Sequence, residues 1–199
     1  KYSDYIGKGN KVFFIDLKNF CNWSYLNEKD NVGWIIGSGP WYDLNGIPNY
    51  NKSKKLPEGK TSFKGVPFYI IPHTNKKCLI CVGYAYPYPF FQFPMKIGPV
   101  PVGKFADYLF FLHSAAWVRV RNGEEIGKYR IIYEDNSESV ISIKRGIQVQ
   151  DWWNVNEETN LSDGEVAWTN DIKVRKIGIC MSMWKNPNPG KKIKEIEIE

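Results

Sequence analysis

Three acidic pairs lie close enough in the chain to suggest carboxylate chemistry: Glu124 with Glu125, Glu157 with Glu158, and Asp163 with Glu165. Paired carboxylates can divide acid and base work in glycoside cleavage. All three sit in polar stretches beside Gly or Asn, where solvated acids belong. "SMWK" (182–185) carries the letters of a Ser-x-x-Lys motif, but that motif needs a helical turn to return the lysine to the serine, and this segment ends a strand-like run. His73 lies in "IPHTN", and His113 closes "DYLFFLH". A strand-end histidine suits a ligand as well as it suits a satisfied place in the rim of a core. The cysteines are Cys21, Cys78, Cys81 and Cys180. "CLIC" (78–81) reads as strand, which sends its two sulfurs to opposite faces, and no second pair or nearby histidine completes a metal set. Small buried hydrophobes are the expectation for them. No catalytic residues are assigned, although carboxylates distant in sequence can converge in space.

Recognition chemistry is better represented. A sugar offers a flat face of C–H groups ringed by hydroxyls, which a protein grips with an aromatic ring and with amides or acids at the edge. Four stretches combine these types: 38–51 with Trp41, Tyr42, Asp43 and Asn45; 83–94 with Tyr84, Tyr86, Tyr88 and Gln92; 150–154, "QDWWN"; and 184–190 with Trp184, Asn186 and Asn188. Stacking falls to Trp41, Tyr86, Tyr88 and Trp152. Asp43, Gln150, Asp151 and Asn154 are the hydroxyl partners.

Such loops need a rigid frame, and the composition says which. Aromatics make up 16% of the chain, and 21 Ile stand against 8 Leu and 5 Ala. That set fits pleated, half-buried surfaces better than helices. Strands are expected near 11–17, 33–36, 62–71, 77–84, 95–102, 107–113, 127–134, 139–145, 147–152, 174–183 and 192–198, with a hairpin at Asp135-Asn136. No helix of sustained 3.6-residue period appears, and no repeat or linker divides residues 1–199, so one domain is expected. Many short strands in one domain mean a sandwich or a barrel. Strand alternation puts Ile147, Val149, Asp151 and Trp153 on the core side and turns Trp152 outward; a bulge at Asp151 would swap the two indoles.

The formal charge is +6 with a pI near 9.0. Lysines are interleaved with acids along the chain, which suits a solvated basic surface and argues against nucleic acid as a partner. No apolar run is long enough to span a bilayer, so no membrane partner is expected. The abrupt start at Lys1 suggests a module cut from a longer protein. Sequons at Asn22, Asn51 and Asn160 matter only where the source glycosylates.

"DLNGIP" (43–48), "FKGVPFYII" (63–71), "ADYLFFLHSAAW" (106–117), "GKYRIIYEDNSES" (127–139), "QDWW" (150–153) and "MWKNPNPGKKIKEIEI" (183–198) together resemble a galactose-binding-domain-like jelly roll. Domains of this type accompany bacterial secreted glycoside hydrolases as carbohydrate-binding modules. The resemblance implies an all-β, two-sheet antiparallel β-sandwich with long aromatic loops, in a secreted or cell-surface setting. The expected role is that of a monomeric module that holds a covalently linked catalytic domain on a plant or microbial polysaccharide of β-glucan type, although the resemblance itself does not name the sugar. No cofactor is required for that role, but a structural calcium ion is common in such domains; the oxygen ligands here would be Asp30 or Asp43, or Asp16 near Glu197. Two alternatives stand beside this reading: a small glycan hydrolase or lyase, and a structural or adhesive interaction domain.

Overall fold

A computed structural model describes residues 2–7, 9–26, 43–46, 50–75, 77–83 and 93–199. The described chain is nearly all β, with antiparallel pairing in its sheets and only single turns of 3₁₀ helix. It forms two compact units, one of residues 1–80 with 170–177 and one of 81–169 with 178–199.

The first unit contains a two-stranded hairpin, β1 (Gly59–Phe63) and β2 (Val66–Ile70). The sequence suggests one strand over 62–71; instead the chain reverses at Lys64-Gly65, where both residues have positive φ (51° and 83°). A two-residue turn with left-handed dihedrals matches the twist of the strands it joins, and glycine adopts it without strain. The strand expected over 77–84 is reduced, in its described part, to one antiparallel bridge between Trp23 and Leu79. Residues 11–17 carry no regular secondary structure and join no ladder, so this expected strand is also absent. Apolar and β-branched residues favour extended dihedrals; a strand also needs an edge to pair with. Asn170, 2% exposed, ties this unit together. Its Nδ2 donates to the carbonyls of Leu44 (2.7 Å) and Lys54 (2.8 Å), and its Oδ1 accepts from Lys54 N at 2.7 Å.

The second unit contains a four-stranded sheet in the order β3-β9-β5-β6: β3 (Ile97–Lys104), β9 (Ile193–Ile198), β5 (Glu125–Tyr133) and β6 (Glu138–Lys144). β3 contains Pro99 and Pro101 and lies at the sheet edge, where a missing N–H leaves no gap in a ladder. The expected hairpin joins β5 to β6, with Asn136 at φ 62° and Asp135 Oδ1 accepting from Ser137 N at 3.0 Å. A three-stranded sheet follows the order β4-β8-β7, from β4 (Tyr108–His113), β8 (Lys176–Lys185) and β7 (Glu165–Asp171). The turn between β7 and β8, with its flanks, is the 170–177 segment of the first unit.

The two sheets share a core, which gives a sandwich-like arrangement. Ile143 of β6 and Cys180 of β8 pack in one cluster with Val149, Val155 and Leu161. The ring of Phe111 on β4 lies flat on that of Tyr129 on β5, with centroids 4.3 Å apart and planes 6° apart. β7 lies between 152 and 174, where no strand was expected. Its sequence, "EVAWTND", has too few large aliphatics to announce a strand.

Candidate functional site

The strand expected over 147–152 does not form, and its replacement reverses the two indoles. After β6 the chain turns at Gly146 (φ 74°), bridges back from Val149 to Arg145, and bridges from Asp151 to Ala115. It then enters one 3₁₀ turn, Trp152–Asn154, capped by Asp151, whose Oδ1 accepts from Trp153 N at 3.0 Å. Aspartate is a favoured cap because its side chain satisfies an N–H that the turn leaves without a partner. Three residues per turn replace the two-residue alternation of a strand. Val149 (1% exposed), Trp152 (3%) and Val155 (0%) consequently all point inward. Trp152, expected to face outward for a sugar, is therefore in the core. Trp153 is the partly exposed indole, set edge-on to Trp152 with centroids 5.2 Å apart and planes at 65°.

The polar members of the stretch are occupied by the scaffold. Asp151 Oδ2 accepts from Val118 N at 3.4 Å. Gln150 Oε1 accepts from Arg145 Nε (3.1 Å) and from Asp151 N (3.0 Å). Arg145 also donates to the carbonyls of Val118 (3.3 Å) and Val120 (2.5 Å). Arg145, Gln150 and Asp151 thus form a hub that fixes residues 117–120 against the 3₁₀ turn. Burial raises the Asp151 carboxyl above its ordinary value; hydrogen bonds from the backbone of Trp153, Val118 and Trp117, and the charge of Arg145, oppose that shift. Of the residues expected to hold a ligand, Asn154 is exposed beside Trp153. Sequence reasoning missed Arg145, although the Val-x-x-Trp-x-x-Val spacing of 149–155 was a visible sign of a three-residue period.

The other expected site residues do not join this group among the described residues. Trp41, Tyr86 and Tyr88 lie outside the described residues, as do Asp30, Tyr84 and Gln92. Asp43 belongs to the first unit, where its Oδ1 accepts from Asn45 N at 2.7 Å in a tight local turn. Asn186, in the fourth aromatic stretch, is buried: it accepts from Tyr133 Oη at 2.7 Å and donates to the carbonyl of Ala106 at 2.8 Å. Asp16 accepts from Lys18 N, and Glu197 pairs with Lys96 at 2.6 Å. Among the described residues no three His, Cys, Asp or Glu gather to hold a metal ion.

Both histidines are placed. His113 takes the core-rim position: Nδ1 lies 3.1 Å from Tyr129 Oη and Nε2 lies 3.3 Å from the carbonyl of Gln148, and burial lowers its pKa to about 4. His73 forms a cluster the sequence did not reveal. Glu58 Oε1 accepts from His73 N (3.0 Å), lies 2.5 Å from His73 Nδ1, and accepts from the hydroxyl of Tyr25. Burial opposes ionisation of Glu58, but the hydrogen bonds from Tyr25 and His73 prevail and hold its pKa at about 2. Burial and the Glu58 hydrogen bond raise the Tyr25 phenol well above its usual range. The cluster joins the start of β1 to the residues after β2, with Glu58 and His73 forty-odd atoms of hairpin apart along the chain but in direct contact in space.

The acidic pairs are likewise engaged or solvated: Glu124 accepts from Arg121 N, Glu157 from Thr169 Oγ1, and Asp163 from Gln148 Nε2. No protein-family model, no curated protein and no solved structure matches the chain.

Proposed function

We propose that the chain is a non-catalytic carbohydrate-binding module of the jelly-roll, galactose-binding-like type, carried by a secreted polysaccharide-degrading enzyme. The observation that carries this reading is the partly exposed Trp153 indole, braced edge-on by the buried Trp152, with Asn154 exposed next to it. A ring whose orientation is fixed before the ligand arrives loses little freedom on binding, and stacking on a pyranose face uses that saved entropy. Trp153 takes over the stacking role that the sequence suggested for Trp152. The Arg145–Gln150–Asp151 hub orients the ring and does not contact the sugar. Holding a linked catalytic domain at the polymer surface raises the effective concentration of cleavable bonds.

Affinity electrophoresis through gels containing β-glucans and other polysaccharides tests the proposal. Retardation by at least one polysaccharide, lost in Trp153→Ala while the circular dichroism is unchanged, supports it. Migration unaffected by every polysaccharide refutes it.

A second reading, a glycan lyase or hydrolase, rests on His73, whose Nδ1 is oriented by the Glu58 carboxylate while the side chain stays 45% exposed. Release of new reducing or unsaturated ends by the isolated chain, abolished in His73→Ala, distinguishes it from the first.

A further inference from the structure

The two units divide the charge unevenly. By sequence, the first carries 15 Lys and Arg against 7 Asp and Glu, and the second carries 12 against 14, so the total of +6 is +8 on one and −2 on the other. The first unit also holds an unusual piece of chain. Residues 11–17 lie outside any ladder, and among the described residues no backbone hydrogen bond ties 11–16 to a neighbouring strand. Val12, Phe13 and Phe14 in this segment are 46%, 36% and 42% exposed, and Tyr69 on β2 is 49% exposed. The rings of Phe14 and Tyr69 lie 6.3 Å apart, which joins this exposed apolar run to the face of β2.

The same two segments carry four lysines. Lys11 adjoins Val12, Lys60 is directly paired across the hairpin with Tyr69, Lys64 lies at the hairpin turn, and Lys18 follows the segment. All four are exposed, and none forms an ion pair among the described residues. Asp16 is the one acid in 11–18, and its Oδ1 takes the N–H of Lys18. Protruding phenyl and branched aliphatic groups can enter the boundary between headgroups and acyl chains, while lysine amines on long stems remain at the phosphates. A single-stranded nucleic acid would call for flat rings lining a basic groove with polar groups for its bases, and Val12 beside two phenyl groups does not provide one.

We propose that Val12, Phe13, Phe14 and Tyr69, with Lys11, Lys18, Lys60 and Lys64, form a peripheral docking surface for an anionic phospholipid bilayer. No helix among the described residues is long and apolar enough to cross a membrane, and the contact proposed is with the bilayer surface. It is independent of the Trp153 site.

The test is co-sedimentation of the whole chain with vesicles of phosphatidylcholine alone and of phosphatidylcholine with phosphatidylglycerol. Binding is expected only to the anionic vesicles and to weaken with added salt. Each lysine near an anionic surface contributes roughly a fivefold gain, so Lys11→Gln with Lys60→Gln should weaken binding roughly thirtyfold. Phe13→Ser with Phe14→Ser should abolish it. Val140→Ser, an exposed position in the second unit, should leave binding unchanged. Phe13→Trp supplies a measurement that needs no disruptive change: its emission should shift to the blue on anionic vesicles and be quenched by brominated acyl chains. The proposal is overturned by absence of binding to anionic vesicles, by binding that survives the double phenylalanine change, by an unquenched Phe13→Trp, or by binding of single-stranded DNA in place of vesicles.

Discussion

Replacing Trp152 by alanine separates the two indoles of the candidate site most sharply. Trp152 is 3% exposed and packs edge-on against Trp153, in a turn whose neighbours Val149 and Val155 are also buried. Truncating a large buried aromatic removes its transfer free energy and leaves a cavity, for about 3–5 kcal/mol. About 0.5–1.5 kcal/mol of edge-to-face interaction is lost as well when either ring is removed. Trp153 keeps part of its ring in water, so Trp153→Ala should cost mainly that ring contact and part of its burial, about 1–2 kcal/mol. Urea unfolding followed by tryptophan emission and far-ultraviolet circular dichroism measures both, and the double variant closes a cycle whose coupling should fall near the ring-contact value. Glycan binding should behave in the opposite sense: lost in Trp153→Ala, and retained in Trp152→Ala under conditions where that variant is folded. The reasoning fails if the two variants are equally destabilised, or if Trp152→Ala costs less than about 1 kcal/mol.

Asp151→Ala removes the cap of the 3₁₀ turn and one anchor of residues 117–118, and should lower stability by about 1–2 kcal/mol in the same urea assay. Gly178→Ala places a Cβ 2.6 Å from the carbonyl oxygen of Trp168 and 2.6 Å from Val155 Cγ1, so it should destabilise by about 1–3 kcal/mol despite the small size of the change; an unchanged urea midpoint would contradict the packing. Glu58 has a folded pKa of about 2, below its ordinary 4.5, so the stability it contributes is present above pH 4.5 and is lost as pH falls towards 2. Glu58→Gln should flatten the acid limb of the stability profile in that window. His113 is lowered to about 4 from 6.5, so its contribution is lost earlier, as pH falls from 6.5 towards 4, and His113→Gln should remove that part of the profile. Both are read from urea midpoints taken across pH.

The strands with their own signals were legible. β4, β5, β6, β8 and β9 fall on apolar, β-branched or aromatic runs, and the Asp135-Asn136 turn joined two of them as expected. β7 was not, because Thr169, Asn170 and Asp171 give its second half the composition of a loop. Residues 11–17 show the converse. Their composition is that of a strand, yet they join no ladder, because pairing depends on where another edge lies, which no local pattern encodes.

The Trp152-Trp153 pair shows the same division at the scale of one turn. The sequence by itself determined that two rings, one acid and two amides meet at 150–154, and that alternate rings in such a stretch would have different fates. Which ring went inward depended on whether the backbone kept a two-residue or a three-residue period. That was decided by bonds from outside the stretch: Val118 and Arg145 engage Asp151 and Gln150, and the capped turn replaces the strand. The Tyr25–Glu58–His73 cluster is also a product of tertiary structure. It brings together residues far apart in the chain, and the free energy of such contacts exists only once folding has closed the intervening loops.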